Sequence, residues 1–265
     1  MRSHKSVMVI ISTLAKCFSQ NNEMDIHYML AFFHEIMTHH EAFFSHAQFT
    51  KYLILLDLCL EDSLSQYTPS QHLSDEMGLT SVLKVYALSP DDSIRFMAKL
   101  SLSRLIQNLS DQEASCLELT PNEVTNLCQA LAAATTSDEH TGDIGSVKFE
   151  VVDLLKGMTA LAAYSRNRKL LTCEDVNVVD FVPIILTTFV DSERKEALKF
   201  LWVLFGDPYI RKQILTSRSF IADQLQELTL CMVDEIKVLS LCTLEAMGSV
   251  IEKGMCSPCT CICPV

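Results

Sequence analysis

The chain has 265 residues, of which 49% are apolar and only 7 are glycine and 7 proline, so it can fill a continuous core but lacks the turn residues of a many-stranded sandwich or barrel. Its 21 lysines and arginines are outnumbered by 33 aspartates and glutamates, which gives a net charge of −12. Because phosphate groups are bound by clustered positive charge, this balance argues against nucleic acid or an anionic membrane surface as a main partner.

The first residues imitate a secretory signal, because Arg2 and Lys5 precede the apolar run 7–11. Polar residues at positions 12, 13 and 16 interrupt that run, and no small-residue cleavage motif follows it. The most apolar later stretch, 176–190, contains an aspartate and a proline and is too short to span a bilayer. We therefore expect neither a cleaved signal nor stable membrane insertion.

Residues 1–74 have helical patterns, but they cannot be placed in the repeat register described next, and 63–74 is predicted to be an exposed loop. Within this region His34, Glu35, His39 and His40 come nearest to a zinc-protease motif. That motif needs histidines four residues apart on one helix face, and His39 lies about 100° further round the helix. The pattern favours ordinary histidines on a polar face.

A repeat of 43 residues is the strongest pattern in the chain. Its first helix is marked by three residues that share one face through their i, i+4, i+7 spacing. Successive copies of this triplet are Leu154, Met158 and Leu161; Ala197, Leu201 and Leu204; and Ser240, Leu244 and Met247.

Two further helices follow in each unit. Arg168, Lys169 and Leu171 recur as Arg211, Lys212 and Ile214, which predicts a second helix. A third helix is predicted from Val182, Ile185 and Phe189, which recur as Leu225, Leu228 and Met232. The sequence therefore predicts successive units of three helices.

An earlier copy has the same internal spacings, with Ala98, Leu102 and Leu105 in its first helix and Val124, Leu127 and Leu131 in its last. It lies 56 residues before the next copy, and the surplus is placed in a polar inserted loop at 135–145. Leu79, Val82 and Tyr86 repeat the last-helix spacing before it. Residues 89–92 are predicted to turn the corner into the next helix, with Asp92 or Ser93 as its cap.

This pattern is similar to the armadillo repeat, with the HEAT repeat as its near neighbour, over roughly residues 79–252. Residues 196–204 and 210–214 look most like the armadillo units that precede TIR signalling domains, although this chain has no TIR domain. The resemblance implies an all-α, right-handed superhelical solenoid over 75–252. The helix-end asparagine of the familiar repeat is replaced here, so no asparagine ladder is implied; the replacements are Arg104, Ala160, Val203 and Ala246.

The final unit stops early, because the position 43 residues after Arg211 is Gly254. We hypothesise that the chain is a shortened product of a longer protein, or that a partner or a second copy covers the open end. Residues 253–265 are predicted to be a disordered tail, with acylation or metal binding as alternatives for its four cysteines: Cys256, Cys259, Cys261 and Cys263.

The other cysteines favour the cytoplasm. Seven of the 11 lie in segments with helical patterns, where a free thiol behaves as a small apolar residue: Cys17, Cys59, Cys116, Cys128, Cys173, Cys231 and Cys242. An odd total without a compact cysteine framework argues against a secreted disulfide scaffold.

Four basic residues and one aromatic residue are the candidate binding residues. Arg168, Lys169, Arg211 and Lys212 are expected to form a basic ladder along one ridge, either as a solvated face or to recognise an acidic or phosphorylated ligand. Trp202, the only tryptophan, is expected to pack in the core or to anchor an interface.

The sequence points to no catalytic residues. Gly142, Gly145 and Lys148 lack the lysine-threonine ending and the preceding strand of a phosphate-binding loop, so a hinge loop is predicted there. We predict a non-enzymatic protein-interaction scaffold in signalling, acting without a cofactor on protein partners. The alternatives are a regulatory domain that senses a nucleotide metabolite, as the resemblance to TIR-linked armadillo regions implies, or an incomplete isoform of a larger armadillo protein.

Overall fold

The computed structural model describes residues 31, 33–38, 49–50, 52–54, 56–57, 78–105, 115–145, 147–173, 177–217 and 220–248. The signal-like start, the predicted loop at 63–74, His39, His40 and the tail cysteines Cys256, Cys259, Cys261 and Cys263 lie outside these ranges. Over the described ranges the fold is mostly helical, with one two-stranded sheet. The chain divides into two compact units, one of residues 1–118 and 144–147 and the other of residues 119–143 and 148–265.

The first unit contains helices α1 (Leu79–Tyr86) and α2 (Asp92–Leu105), which pack together, and a 3-10 turn at Ser115–Leu117. Its core is partly aromatic, since Phe33, Phe49 and Tyr52 are fully buried. The predicted triplet on α2, Ala98, Leu102 and Leu105, is buried as expected.

The cap of α2 differs from the prediction. The carboxylate of Asp91 accepts hydrogen bonds from the backbone N–H of Ser93 at 3.0 Å and of Ile94 at 3.1 Å. Asp91 therefore satisfies the otherwise unpaired donors at the start of the helix. The prediction of Asp92 or Ser93 as the cap was wrong by one or two residues.

The second unit is a succession of helices that begins with α3 (Pro121–Thr136). Thr120 and Glu123 form a reciprocal capping box at its start, and Pro121 fits the first helical position. The remaining helices are α4 (Val151–Ala162), α5 (Ser165–Leu171), α6 (Val182–Thr188), α7 (Asp191–Phe205), α8 (Pro208–Ser217), α9 (Phe220–Leu228) and α10 (Asp234–Ala246), with a 3-10 turn at Val178–Phe181 before α6.

The three-helix order predicted from the repeat is present in α4–α6 and again in α7–α9. All nine residues of the three first-helix triplets are buried in α4, α7 and at the end of α10. Corresponding helices contact one another, since α7 packs against both α4 and α10, and α6 packs against α9. The apolar positions that repeat in the sequence are therefore the positions at which successive units bury each other.

The correspondence between Phe189 and Met232 in the repeat does not extend to burial. Met232 is 95% exposed, whereas its counterpart 43 residues earlier, Phe189, is buried. Helix α9 ends at Leu228, and the backbone N–H of Leu230 bonds the carbonyl of Glu227 in the closing turn. The chain thus turns before Met232 can face the core.

The insertion at 135–145 is not a loop throughout. Helix α3 continues to Thr136, and a hairpin follows, formed by β1 (Thr141–Ile144) and β2 (Val147–Glu150). Burial alternates along both strands, as a strand with one covered face requires. Gly145 has a φ of 60°, which suits a tight hairpin turn.

Among the described residues, no helix combines the length and the apolar character needed to cross a membrane.

Candidate protein-interaction surface

Helices α5 and α8 each carry one arginine and one lysine of the predicted basic ladder, and the two residues of each pair differ in exposure. Lys169 and Lys212 are exposed, while Arg168 and Arg211 are half-buried. The Arg211 guanidinium donates a hydrogen bond from Nη1 to the carbonyl oxygen of Ala246 at 2.7 Å. Ala246 is the last residue of α10, where carbonyl groups lack helical partners and favour a cation.

Arg168 lies in the matching place one unit earlier. A Cβ on Gly206, the residue that follows α7 as its C-cap, would be 4.0 Å from Nη1 of Arg168. The Nε of Arg168 is buried without a hydrogen-bond partner in the described part of the chain. The arginines of the predicted basic ladder thus lie against the ends of the next unit's first helix, and the lysines are its solvent-facing members.

Trp202 is half-buried on α7, next to the fully buried Leu201. A half-buried indole suits partial packing as well as contact with a partner. Its assignment as a core residue or an interface anchor therefore stays a prediction.

The third helices of the second unit carry a surface that sequence reasoning missed. Counted back from the third-helix triplets of the 43-residue repeat, corresponding positions can be identified on the third helices of three successive units. We call these nine residues the third-helix ridge: Asn122, Asn126 and Gln129 on α3; Asp180, Ile184 and Thr187 at the start and along α6; and Asp223, Glu227 and Leu230 along and just after α9.

All members of the third-helix ridge are exposed except Asn126, which is half-buried. Ile184 is 43% and Leu230 84% exposed, high values for large aliphatic side chains. The three rows are neighbours, because α9 packs against α6 and α3 packs against the 3-10 turn that contains Asp180. The ridge therefore combines amides, carboxylates and apolar side chains within one row of adjacent helices.

An electrostatic interaction also links α3 with the start of α6, because the charge of Asp180 acts on Cys128. Burial raises the pKa of the Cys128 thiol on α3, and the charge of Asp180 and the nearby Cys173 raise it further. A thiol with a raised pKa stays protonated at neutral pH and is a weak nucleophile. Cys128 therefore behaves as a packing residue beside the ridge.

The predicted hinge loop at Gly142 and Gly145 is instead a β-hairpin, and Gly142 has a packing role in it. A Cβ on Gly142 would overlap the backbone carbonyl of Ala130 in α3, so only glycine lets this strand lie so close to the helix. The ammonium of Lys148 hydrogen-bonds the Glu139 carboxylate at 2.8 Å and holds the pKa of that carboxyl below its usual value.

In the described ranges, no three histidine, cysteine or acidic side chains are grouped as a metal site would require.

No protein-family model matches the chain, and no curated protein matches it. Its structure is similar to the crystal structure of an engineered protein from the Northeast Structural Genomics Consortium, with a TM-score of 0.55 and 16% identity over 89% of this chain. The chain spans 53% of the length of that engineered protein. Two other engineered proteins from the same consortium match over 91% and 90% of this chain, with TM-scores of 0.47 and 0.48 and identities of 16% and 13%. The first of these likenesses is one of fold alone.

Proposed function

We propose that this chain is a non-enzymatic scaffold of armadillo-like repeats, wound as a right-handed superhelical solenoid, that binds a segment of another protein. Support for the repeat architecture comes from the 43-residue recurrence and from the packing of α4 on α7 and of α7 on α10. Support for binding comes from the third-helix ridge, whose exposed positions recur on α3, α6 and α9. That recurrence is the single observation on which the functional proposal depends.

The side chains of the ridge suggest the chemistry of the bound segment. Asn122, Asn126 and Gln129 can each donate to and accept from the backbone of an extended chain. Ile184 and Leu230 offer apolar contacts. Covering a fully exposed aliphatic side chain contributes about 1.5–3 kcal/mol, so Leu230, which is 84% exposed, contributes more than Ile184, which is 43% exposed. Carboxylates at three of the nine positions favour basic residues in the ligand. We therefore propose an extended segment with apolar anchors and flanking lysine or arginine.

Capture of partners from native cell lysate tests this proposal. Three full-length proteins are compared: the wild type, a ridge variant with Ile184→Ser and Leu230→Ser, and a matched variant with Lys169→Ser and Lys212→Ser on the second helices. We expect the ridge variant to lose the principal partner by about tenfold or more, because few interface residues carry most of the affinity. The lysine variant should retain that partner.

Two outcomes would contradict the proposed surface. Loss of the partner only in the lysine variant would move the binding site to α5 and α8. Equal capture by all three proteins would show that neither surface is used. Circular dichroism of each variant establishes that a loss of binding is not a loss of fold.

A further inference from the structure

The outer face of α10 carries a stripe of exposed side chains opposite the face that packs in the second unit. Asp234, Lys237, Val238, Leu241 and Glu245 follow the helical period along this stripe. Val238 is 48% and Leu241 39% exposed. Helices that pack against another helix commonly have an apolar stripe flanked by charged residues, as this face of α10 has.

Comparison with the preceding unit shows which kind of neighbour this face suits. The counterpart of Leu241 on α7 is Leu198, which is fully buried in a helix packed against both α4 and α10. The same position is thus covered in one unit and open in the next. Its side chain is leucine in both, so the face of α10 retains the apolar character of a helix-packing surface.

The charges on this face identify the partner helix. Lys237 and Glu245 lie four residues before and four residues after Leu241. Among the described residues, neither has an ion-pair partner, whereas the neighbouring Glu235 is paired with Lys195 at 2.5 Å. If two copies of α10 pack antiparallel and centre on Leu241, Lys237 of each copy lies level with Glu245 of the other. The face is therefore complementary to itself.

We infer that α10 is a self-association surface through which two copies of this chain form an antiparallel dimer about Leu241. The contact is isologous, so each favourable pair occurs twice. It is separate from the third-helix ridge and does not depend on the proposed function. Because a single helix face is a small interface, we expect a weak dimer with a dissociation constant of about 10–100 μM.

Sedimentation equilibrium of the full-length protein over a wide concentration range tests this inference. Lys237→Glu places two like-charge pairs in the contact, and Glu245→Lys does the same with the opposite sign. Each single variant should dissociate about tenfold more readily than the wild type. The double variant Lys237→Glu/Glu245→Lys should recover the wild-type dissociation constant, because its charges are complementary again.

An equimolar mixture of the two single variants gives the most specific outcome. The mixed pair restores both opposite-charge contacts, so heterodimers should form at concentrations where each variant alone is monomeric. Lys212→Glu on α8, an exposed lysine that is not part of the α10 stripe, should dimerise like the wild type.

Three results would overturn the inference. A wild type that stays monomeric throughout the range would show that residues 249–265, another protein or solvent covers this face instead. A dimer that is insensitive to the single variants would place the contact elsewhere. Weakening by both single variants without recovery in the mixture or the double variant would exclude the antiparallel arrangement.

Discussion

Arg168 and Arg211 occupy equivalent positions 43 residues apart, and both extend to the end of a helix in the following unit. The last carbonyl groups of a helix lack intrahelical partners and carry partial negative charge, so a guanidinium satisfies both their hydrogen-bonding capacity and their electrostatics. The hydrogen bond of Arg211 gives this arginine a role in joining units, and the place of Arg168 beside the end of α7 is consistent with the same role.

Replacing Arg211 should reveal this structural role. Arg211→Met keeps much of the side-chain volume but removes the hydrogen bond to Ala246, and we expect the free energy of unfolding to fall by about 1–2 kcal/mol. Lys212→Met, on the exposed neighbour, should change it by less than about 0.5 kcal/mol. Urea denaturation measures both. Equal stability of the two variants would refute a joining role for Arg211.

Asn167 forms a second polar joint, at the start of α5. Its Oδ1 accepts a hydrogen bond from the backbone N–H of Leu119 at 2.8 Å, and its Nδ2 donates to the carbonyl of Leu161 at 3.0 Å. The residue is fully buried. Since its counterpart 43 residues later is Ile210, the repeat register conceals this residue from sequence reasoning.

Asn167→Leu should therefore be costly. It leaves the backbone N–H of Leu119 without its Asn167 acceptor, whereas the carbonyl of Leu161 still accepts from the backbone N–H of Tyr164. We expect a loss of about 1–3 kcal/mol in the free energy of unfolding. Asn122→Leu on the exposed ridge is the matched control and should have little effect. A mild effect at Asn167, measured by the same denaturation, would mean that water or a shifted backbone replaces the lost bonds.

The Glu139 and Lys148 pair makes a pH-dependent prediction for the hairpin. Because the pair holds the pKa of Glu139 below its usual value, its contribution to folding is present above the usual carboxyl pKa and is lost as the pH falls through the lowered value. In Lys148→Gln the pKa of Glu139 should rise towards its usual value. Carboxyl-carbon NMR titration measures this, with Lys169→Gln as the control that should leave it unchanged.

At the scale of elements, the long helices could be predicted and the hairpin could not. Helices such as α4 and α7 bury triplets at a helical period, which is visible in sequence. The strands are only four residues each, and β1 has two of its positions occupied by glycine and aspartate, which are uncommon in strands. The hairpin packs against α3 through Gly142. Such a contact could not be predicted from the sequence, because it depends on a missing side chain and not on a pattern of apolar residues.

Gly142→Ala tests the importance of that approach. The added Cβ would overlap the Ala130 carbonyl, so helix and strand must separate, and we expect a loss of about 3 kcal/mol in the free energy of unfolding. Asp143→Ala, at the exposed neighbouring position, should cost less than about 0.5 kcal/mol. Similar thermal denaturation of the two variants would show that the hairpin is not closely held.

At the scale of the whole molecule, the repeat was visible in the buried positions and the ridge was not. Buried positions such as Leu161 and Leu204 keep one chemical type because each unit must be covered by the next. The exposed rows are amides on α3, mixed on α6 and acidic with one leucine on α9, so they share positions but no residue type. Only the 43-residue register of the repeat aligns these three rows.

The most direct test of the scaffold proposal is photo-crosslinking in cells, with benzoylphenylalanine placed singly at Thr187 of the third-helix ridge or at Lys212 of α8. Both positions are exposed, so both variants should fold. We predict a discrete protein crosslinked from position 187 and absent from position 212. A partner crosslinked only from position 212, or none from position 187, would contradict the account.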